Sequence, residues 1–175
     1  MKTTNKIFVL IITFFTTTLW AAEYKVDEIR VYKLQHRMDM MFEGKVTKTY
    51  TVMLGRGGMN PKRQEGDKLV PEGEYILDYK NPYSNFYRSI HISYPNAADI
   101  KRAEAMGLNP GFDIMVHGMP KWLELLDPIL DERAKDILFK KGDWTAGCVA
   151  VQNNEIMEIW NNVEVPIKIT IYHQI

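Results

Sequence analysis

Between Val26 and Leu54 side-chain character alternates with a period of two: Ile29, Val31 and Lys33, then Met38, Met40 and Phe42, then Val46, Lys48, Tyr50, Val52 and Leu54 opposite Thr47, Thr49 and Thr51. Successive side chains of a strand point to opposite faces, so this pattern predicts half-buried strands and disfavours helix. Glu43-Gly44-Lys45 separates two of the runs at hairpin distance. Gly55 to Pro61 stops the third with residues that tolerate positive φ or cannot pair. A β-meander is therefore expected to open the domain.

Further along, Pro71-Glu72-Gly73 leads into Tyr75-Ile76-Leu77, a fourth strand, and Ser89 to Tyr94 forms another. Asn96 is placed to cap a short helix that ends at Gly107. The run from Phe112 to Val116 reads as a central strand that delivers His117-Gly118 at its carboxyl end. From Pro120 to Gly142 the period becomes helical, with Asp127-Pro128 as N-cap and first residue and Leu130, Ala134, Ile137 and Leu138 on one face. Cys148 to Val151 is short and apolar. Asn153 or Asn154 then caps a helix with Ile156, Ile159, Trp160 and Val163 on one side, and Ile167, Ile169 and Ile171 alternate in a last strand. Without repeat, linker or charge block, the chain reads as a single domain over 23–175, mostly β with three helices.

The first 22 residues stand apart: Lys2 and Lys6 flank a polar start, Ile7 to Phe15 is nearly all apolar, and small residues close the segment at Ala21-Ala22. This predicts a secretory signal peptide over 1–22, cut after Ala21 or Ala22, with an uncleaved anchor as the alternative. No stable membrane span is expected once the leader is gone. The whole chain carries 22 basic and 22 acidic residues, which excludes nucleic-acid capture by a basic face. Its one cysteine, Cys148, cannot form an internal disulfide, so the thiol of an exported chain needs another explanation.

Two segments carry residues suited to chemistry, Ile114-Met115-Val116-His117-Gly118 and Asp143-Trp144-Thr145-Ala146-Gly147-Cys148-Val149-Ala150-Val151. A thiol attacks a carbonyl as thiolate, and a neighbouring imidazole is its usual activator. His117 and Cys148 can form such a pair, with Gly147 permitting a tight turn and main-chain N–H groups near Gly147 and Cys148 available to an oxyanion. The competing reading makes Cys148 a small buried hydrophobe and His117 a loop histidine. His36, His91 and His173 show no metal-ligand spacing and no paired-cysteine pattern exists, so no metal and no cofactor is expected. His91 sits where it can line the same groove, although a solvent-facing strand position is the simpler reading.

The order His117-Gly118, then Thr145-Ala146-Gly147-Cys148-Val149, resembles the signature of the L,D-transpeptidase (YkuD-type) catalytic domain. Gly66-Asp67 before Pro71-Glu72-Gly73-Glu74-Tyr75, Ser89 to Pro95, and Asp143-Trp144-Thr145 are similar to a periplasmic branch of that family, and the likeness extends from about residue 26 to 172. The resemblance implies an L,D-transpeptidase-like β-sandwich or mixed sheet, a periplasmic location, and action on the peptide stems of peptidoglycan. It implies Cys148 as nucleophile forming a thioester and His117 as acid/base, its ring oriented by the Gly118 carbonyl. Tyr94, Trp144, Thr145, Gly147 and Gly118 are expected around the substrate. Ala150 departs from the family, many of whose members carry arginine two residues after the cysteine, and Arg56, Arg63 and Arg88 read as surface charges rather than replacements. An amine acceptor implies a new crosslink or attachment of an envelope protein. Water implies an L,D-carboxypeptidase or an amidase that releases a wall-attached protein. A wall-binding module with an inert Cys148 is the reading from another class.

N-terminal sequencing of the exported protein is expected to start at Ala22 or Glu23; a chain retaining Ile7 to Phe15 contradicts a cleaved leader.

Overall fold

The computed structural model describes residues 24–174 except 127 and 128. The expected leader and the expected Asp127-Pro128 cap lie outside the described residues. Strands β1 (Glu28–Tyr32), β2 (Arg37–Phe42) and β3 (Lys45–Thr51) form the meander. The β2–β3 turn has positive φ at both central residues, 50° at Glu43 and 75° at Gly44, the combination that a two-residue hairpin of matching twist requires. Then follow β4 (Gly73–Asn81), β5 (Ser89–Ile92), α1 (Ala97–Ala105), β6 (Met115–His117), a 3-10 segment at Lys121–Leu126, α2 (Glu132–Phe139), β7 (Val149–Ala150), α3 (Asn153–Asn162) and β8 (Ile167–Tyr172).

All eight strands belong to one mixed sheet in the order β3-β2-β1-β8-β4-β5-β6-β7. The last strand in sequence is thus central, parallel to β1 and antiparallel to β4. Its Ile167, Ile169 and Ile171 join Ile29, Val31, Met38, Met40, Leu77, Ile90, Val116 and Val149 in the main core, against Ile156 and Ile159 of α3. Burying such branched side chains contributes roughly 1.5–3 kcal/mol each and is the main source of stability in a chain without a disulfide. Lys33, on the buried side of the alternation, is fully enclosed. Its Nζ donates to the Asn60 and Val70 carbonyls at 3.0 and 3.1 Å and to Glu72 at 2.8 Å. Burial lowers its pKa and the Glu72 carboxylate opposes that shift.

Some local expectations are corrected. A bulge leaves Thr47 of β3 extra between the Met40–Lys48 and Met41–Val46 pairs, while β2 stays in regular register with β1 and is buried on both faces, Met41 as well as Met40. Val46 is exposed because β3 ends the sheet order and is covered on neither face at that point. The segment after Pro120 is two short pieces, and α2 starts behind Asp131, whose Oδ1 accepts from the Ala134 N–H at 2.7 Å. Its buried anchor is Phe139, whereas Ile137 and Leu138 are exposed. Helix α3 is capped at Gln152 rather than at an asparagine, with the Glu155 carboxylate accepting the Gln152 N–H at 2.9 Å. Helix α1 starts at Asn96 as expected.

The two ends of the sheet meet. Beyond β3 the chain stays extended, Met53 exchanges hydrogen bonds of 2.9 and 2.8 Å with Ala150, and the Thr145 N–H donates to the Leu54 carbonyl at 3.0 Å. Gly55 pairs with Thr145. A Cβ at Gly55 would lie 2.1 Å from the Lys68 carbonyl oxygen and 3.1 Å from the Gly147 Cα, so only glycine fits. Gly55→Ala is expected to lower unfolding stability by about 1–3 kcal/mol, the usual cost of overpacking against backbone; an unchanged urea midpoint contradicts this account of the contact.

Candidate active site

Register decides which residues share a face. Ser89 pairs with His117 and His91 with Met115 across β5 and β6, while Val116 pairs with Val149 and His117 with Ala150 across β6 and β7. Continuing the last register by one residue sets Cys148 opposite Met115. Because directly paired residues point the same way, His91, Met115, His117 and Cys148 project from one face. Ile90, Val116 and Val149 project from the other, into the core. Cys148 and His117 are diagonal neighbours, residues about 7–8 Å apart in such an arrangement with Cβ atoms somewhat closer, a gap that a thiol and an imidazole can span.

The turn before the cysteine is held from inside and outside. The Thr145 hydroxyl, itself buried, donates to the Cys148 carbonyl at 2.8 Å and accepts the Gly147 N–H at 3.2 Å. Gly147 has φ of 126°, and a Cβ there would lie 2.8 Å from the Leu69 carbonyl oxygen. Asp143 accepts the Leu54 N–H at 2.7 Å and contacts His36 Nε2 at 3.0 Å. These bonds assign Thr145 to shaping the turn. They also commit the Gly147 N–H, leaving the Cys148 N–H without a partner among the described residues. The half-buried sulfur donates to the Asp113 carbonyl at 3.6 Å. Burial pushes the thiol up to about 11; the Met115 N–H and Lys62 oppose that shift, and Asp113 adds to it.

His117 is buried, and its Nδ1 lies 2.7 Å from the Gly118 carbonyl. That contact assigns the proton to Nδ1 and leaves Nε2 as the basic nitrogen. Burial lowers its pKa to about 4 against the opposing pull of that carbonyl. The ring packs 4.3 Å from Phe86 and 5.6 Å from Trp144, centroid to centroid. Gly118 is pinned in turn: its N–H donates to the Arg88 carbonyl at 3.1 Å, and a Cβ would lie 2.7 Å from Asn153 Oδ1. Asn153 also accepts the Met119 N–H at 2.8 Å, so α3 holds the histidine loop.

Thus the structure brings Cys148, His117, Gly118, Trp144, Thr145 and Gly147 together, but not Tyr94. That ring lies in the core, with its hydroxyl donating to the Pro110 carbonyl at 2.9 Å. Ala150 is fully enclosed in a second cluster with Met53 and Phe139, leaving no room for a guanidinium. Arg88 lies over the Trp160 ring at 4.9 Å. A cavity of about 370 Å³ lies beside the site, bounded by Trp122, Leu138 and Trp144 among others. The Trp144 Nε1 is buried without a partner among the described residues. Sequence reading did not single out Phe86, Asn153, or Asp143 as a bracing group. Asn153 stood out only as a helix cap and Asp143 only within a motif, since each of the three acts across more than thirty positions on a segment it meets only after folding. No group of three or more acidic, histidine or cysteine side chains able to hold a metal occurs among the described residues.

A sheet of this topology with cysteine and histidine on the side away from the main core defines a class, and residues 27–171 match the sequence model of the YkuD L,D-transpeptidase catalytic domain. The chain belongs to that family. It is 30% identical over 115 residues to the Escherichia coli K12 protein described as "Putative L,D-transpeptidase YafK", a span of 59% of this chain and 45% of that one. It resembles the helical cell shape determining protein Pgp2 of Campylobacter jejuni at 25% identity and a TM-score of 0.57, over 85% of this chain and 48% of Pgp2. An L,D-transpeptidase of Xylanimonas cellulosilytica shares the fold at 12% identity and a TM-score of 0.54, over 87% of this chain and 63% of that one. The chain spans about half the length of YafK and Pgp2. Among the described residues no helix is long and apolar enough to cross a membrane.

His117 links the site to stability. Its folded pKa of about 4 lies below the ordinary 6.5, so between those values the unfolded chain binds a proton that the folded chain refuses. Stability is expected to fall as pH drops from 6.5 to about 4, by about 3 kcal/mol from this group alone. Urea titrations of wild type and His117→Asn check it: the loss specific to this window is absent in the variant, and identical pH slopes contradict the assignment.

Proposed function

We propose that this domain is an exported, periplasmic cysteine acyltransferase that acts on the peptide stems of peptidoglycan through a thioester on Cys148. The observation that carries the reading is the shared face of Cys148 and His117, with His117 Nδ1 committed to Gly118 and Nε2 left as a base. Burial favours the neutral form of both groups, so the resting pair is a thiol and a neutral imidazole. Rotation of the thiol from the Asp113 carbonyl toward Nε2 permits proton transfer as sulfur attacks the carbonyl of the third-position diamino acid. The Cys148 N–H is free to stabilise the oxyanion. His117 then returns the proton to the departing amine, and the leaving fragment separates.

The unpaired Trp144 indole N–H beside the histidine ring is suited to a carbonyl of the stem, because a buried donor without an acceptor is costly until a ligand supplies one. Phe86 and Trp144 shield the imidazole from water. Transfer to an amine joins two stems or attaches an envelope protein; transfer to water trims a stem or releases such a protein. By analogy with Pgp2, the corresponding cellular role is in cell shape.

Mass analysis of muropeptides incubated with the protein tests the reading. Cys148→Ala is expected to abolish turnover with little change in melting, and His117→Ala to slow thioester formation by about 10²–10⁴-fold. New dimers identify transfer and shortened stems identify hydrolysis; full turnover by Cys148→Ala ends the proposal. The acylation rate is expected to be flat in pH between the two group values of about 4 and about 11, because the competent pair is neutral throughout. A maximum confined to a narrow range would instead indicate a preformed ion pair.

A further inference from the structure

Two histidines stand on the face that carries Cys148, and the mechanism above uses one. His91 on β5 pairs with Met115, which the β6–β7 register sets opposite Cys148. The three side chains therefore form a row across adjacent strands. At about 4.7–4.9 Å between strands, the backbones of His91 and Cys148 are about 10 Å apart, with both side chains on the same side of the sheet.

The surroundings of His91 are those of a base with an orienting partner. Its Nδ1 lies 2.7 Å from Asp78 Oδ1, and its ring stacks on Tyr79 with centroids 4.7 Å apart and planes 18° from parallel. A carboxylate accepts only, so Nδ1 carries the proton and Nε2 holds the lone pair of the neutral ring. No partner for Nε2 occurs among the described residues, and Tyr79 is 46% exposed, which opens this end of the row to solvent. The nearby ionisable groups are Asp78 and Tyr79 on β4, Asp113 on the loop before β6, and Cys148 and His117 on the same face. A carboxylate behind an imidazole stabilises the imidazolium that forms when Nε2 takes a proton. The nearly sealed His117, with only a carbonyl behind it, lacks that support.

We propose that His91, oriented by Asp78, is the catalytic base for the second nucleophile, so that the acceptor enters from the β4–β5 side while His117 serves the thiol. This rests on the acyl-enzyme reading above. In the step, the acceptor amine or water attacks the thioester carbonyl, forming the new C–N or C–O bond, and the C–S bond breaks. The acceptor's proton goes to His91 Nε2 and the electron pair leaves on Cys148 sulfur. Release of the proton from His91 to solvent and reprotonation of the sulfur restore the resting state.

The test separates the two half-reactions by intact-protein mass measurement after mixing with a tetrapeptide-stem muropeptide. In His91→Gln and Asp78→Asn, formation of the acylated protein is expected to stay within about threefold of wild type. Its decay on adding an amino-bearing muropeptide is expected to slow about tenfold or more, so that the thioester accumulates. Added imidazole is also expected to restore decay in His91→Gln, a rescue that a purely structural role does not produce. Parallel loss of both half-reactions, or unchanged decay in two variants with wild-type melting, overturns the proposal. If wild-type protein forms no adduct that Cys148→Ala abolishes, the acyl-enzyme reading itself fails, and this inference with it.

Discussion

The join between the extended chain at Met53–Gly55 and the segment from Thr145 to Ala150 is the contact on which the rest of the molecule depends. It brings the chain beyond β3, at one end of an eight-stranded order, against β7 at the other, and thereby pairs backbone groups that an open sheet leaves to solvent or to another chain. Two glycines make the approach possible. Gly55 lies against the Lys68 carbonyl, Gly147 against the Leu69 carbonyl, and each is close to the other. The Asp143 carboxylate ties the same strand through the Leu54 N–H. Sheet closure and placement of the cysteine turn are therefore one event, and the turn inherits the rigidity of the scaffold.

The opposite wall of the site is built by different means. His117 ends a strand whose inner face is apolar core, and α3 reaches it through Asn153, which holds the backbone of Met119. Close to the site, the half-buried carboxylate of Asp67 shows how charge is accommodated in this fold. Burial acts to raise its pKa, but hydrogen bonds from Gln64, Lys62, Arg63 and Leu69 outweigh that and hold it below the ordinary range. Lys62 is buried with it and donates at 2.8 Å. Among the described residues neither Cys148 nor His117 forms an ion pair, and burial favours the neutral form of both despite the opposing pull of Lys62 on the thiol. The difference lies in hydrogen-bond supply as well as in depth, since Asp67 is only partly buried whereas His117 is almost fully enclosed.

Much of the fold was legible because it rests on local rules. The alternation of Ile29 and Val31, of Met38 and Met40, and of Ile167, Ile169 and Ile171 places one side of each strand in the core. The Asn96 cap and the Glu43-Gly44 turn follow from side-chain reach and from tolerance of positive φ. The candidate site was legible in part: Cys148, His117 and their glycines stand out as residue types with few structural substitutes. Tyr94 did not belong with them, since an aromatic residue beside a strand looks the same whether it lines a groove or fills the core. The bulge at Thr47 and the outward turn of Ile137 and Leu138 escaped for a related reason, because each reflects what packs against the element rather than its own period.

What the chain determined by itself was the inventory: strands of defined polarity, helix starts, one thiol, and one imidazole preceding a glycine. These depend on steric and hydrogen-bonding preferences within a few residues. Which strands became neighbours was decided only by the tertiary structure, because pairing β8 with both β1 and β4, and β6 with β7, satisfies backbone groups far apart in sequence while burying the apolar faces together. Register then did what composition could not, setting His91, Met115 and Cys148 in one row with His117 diagonal to the sulfur. A slip of a single residue would have turned either side chain of the pair to the opposite face.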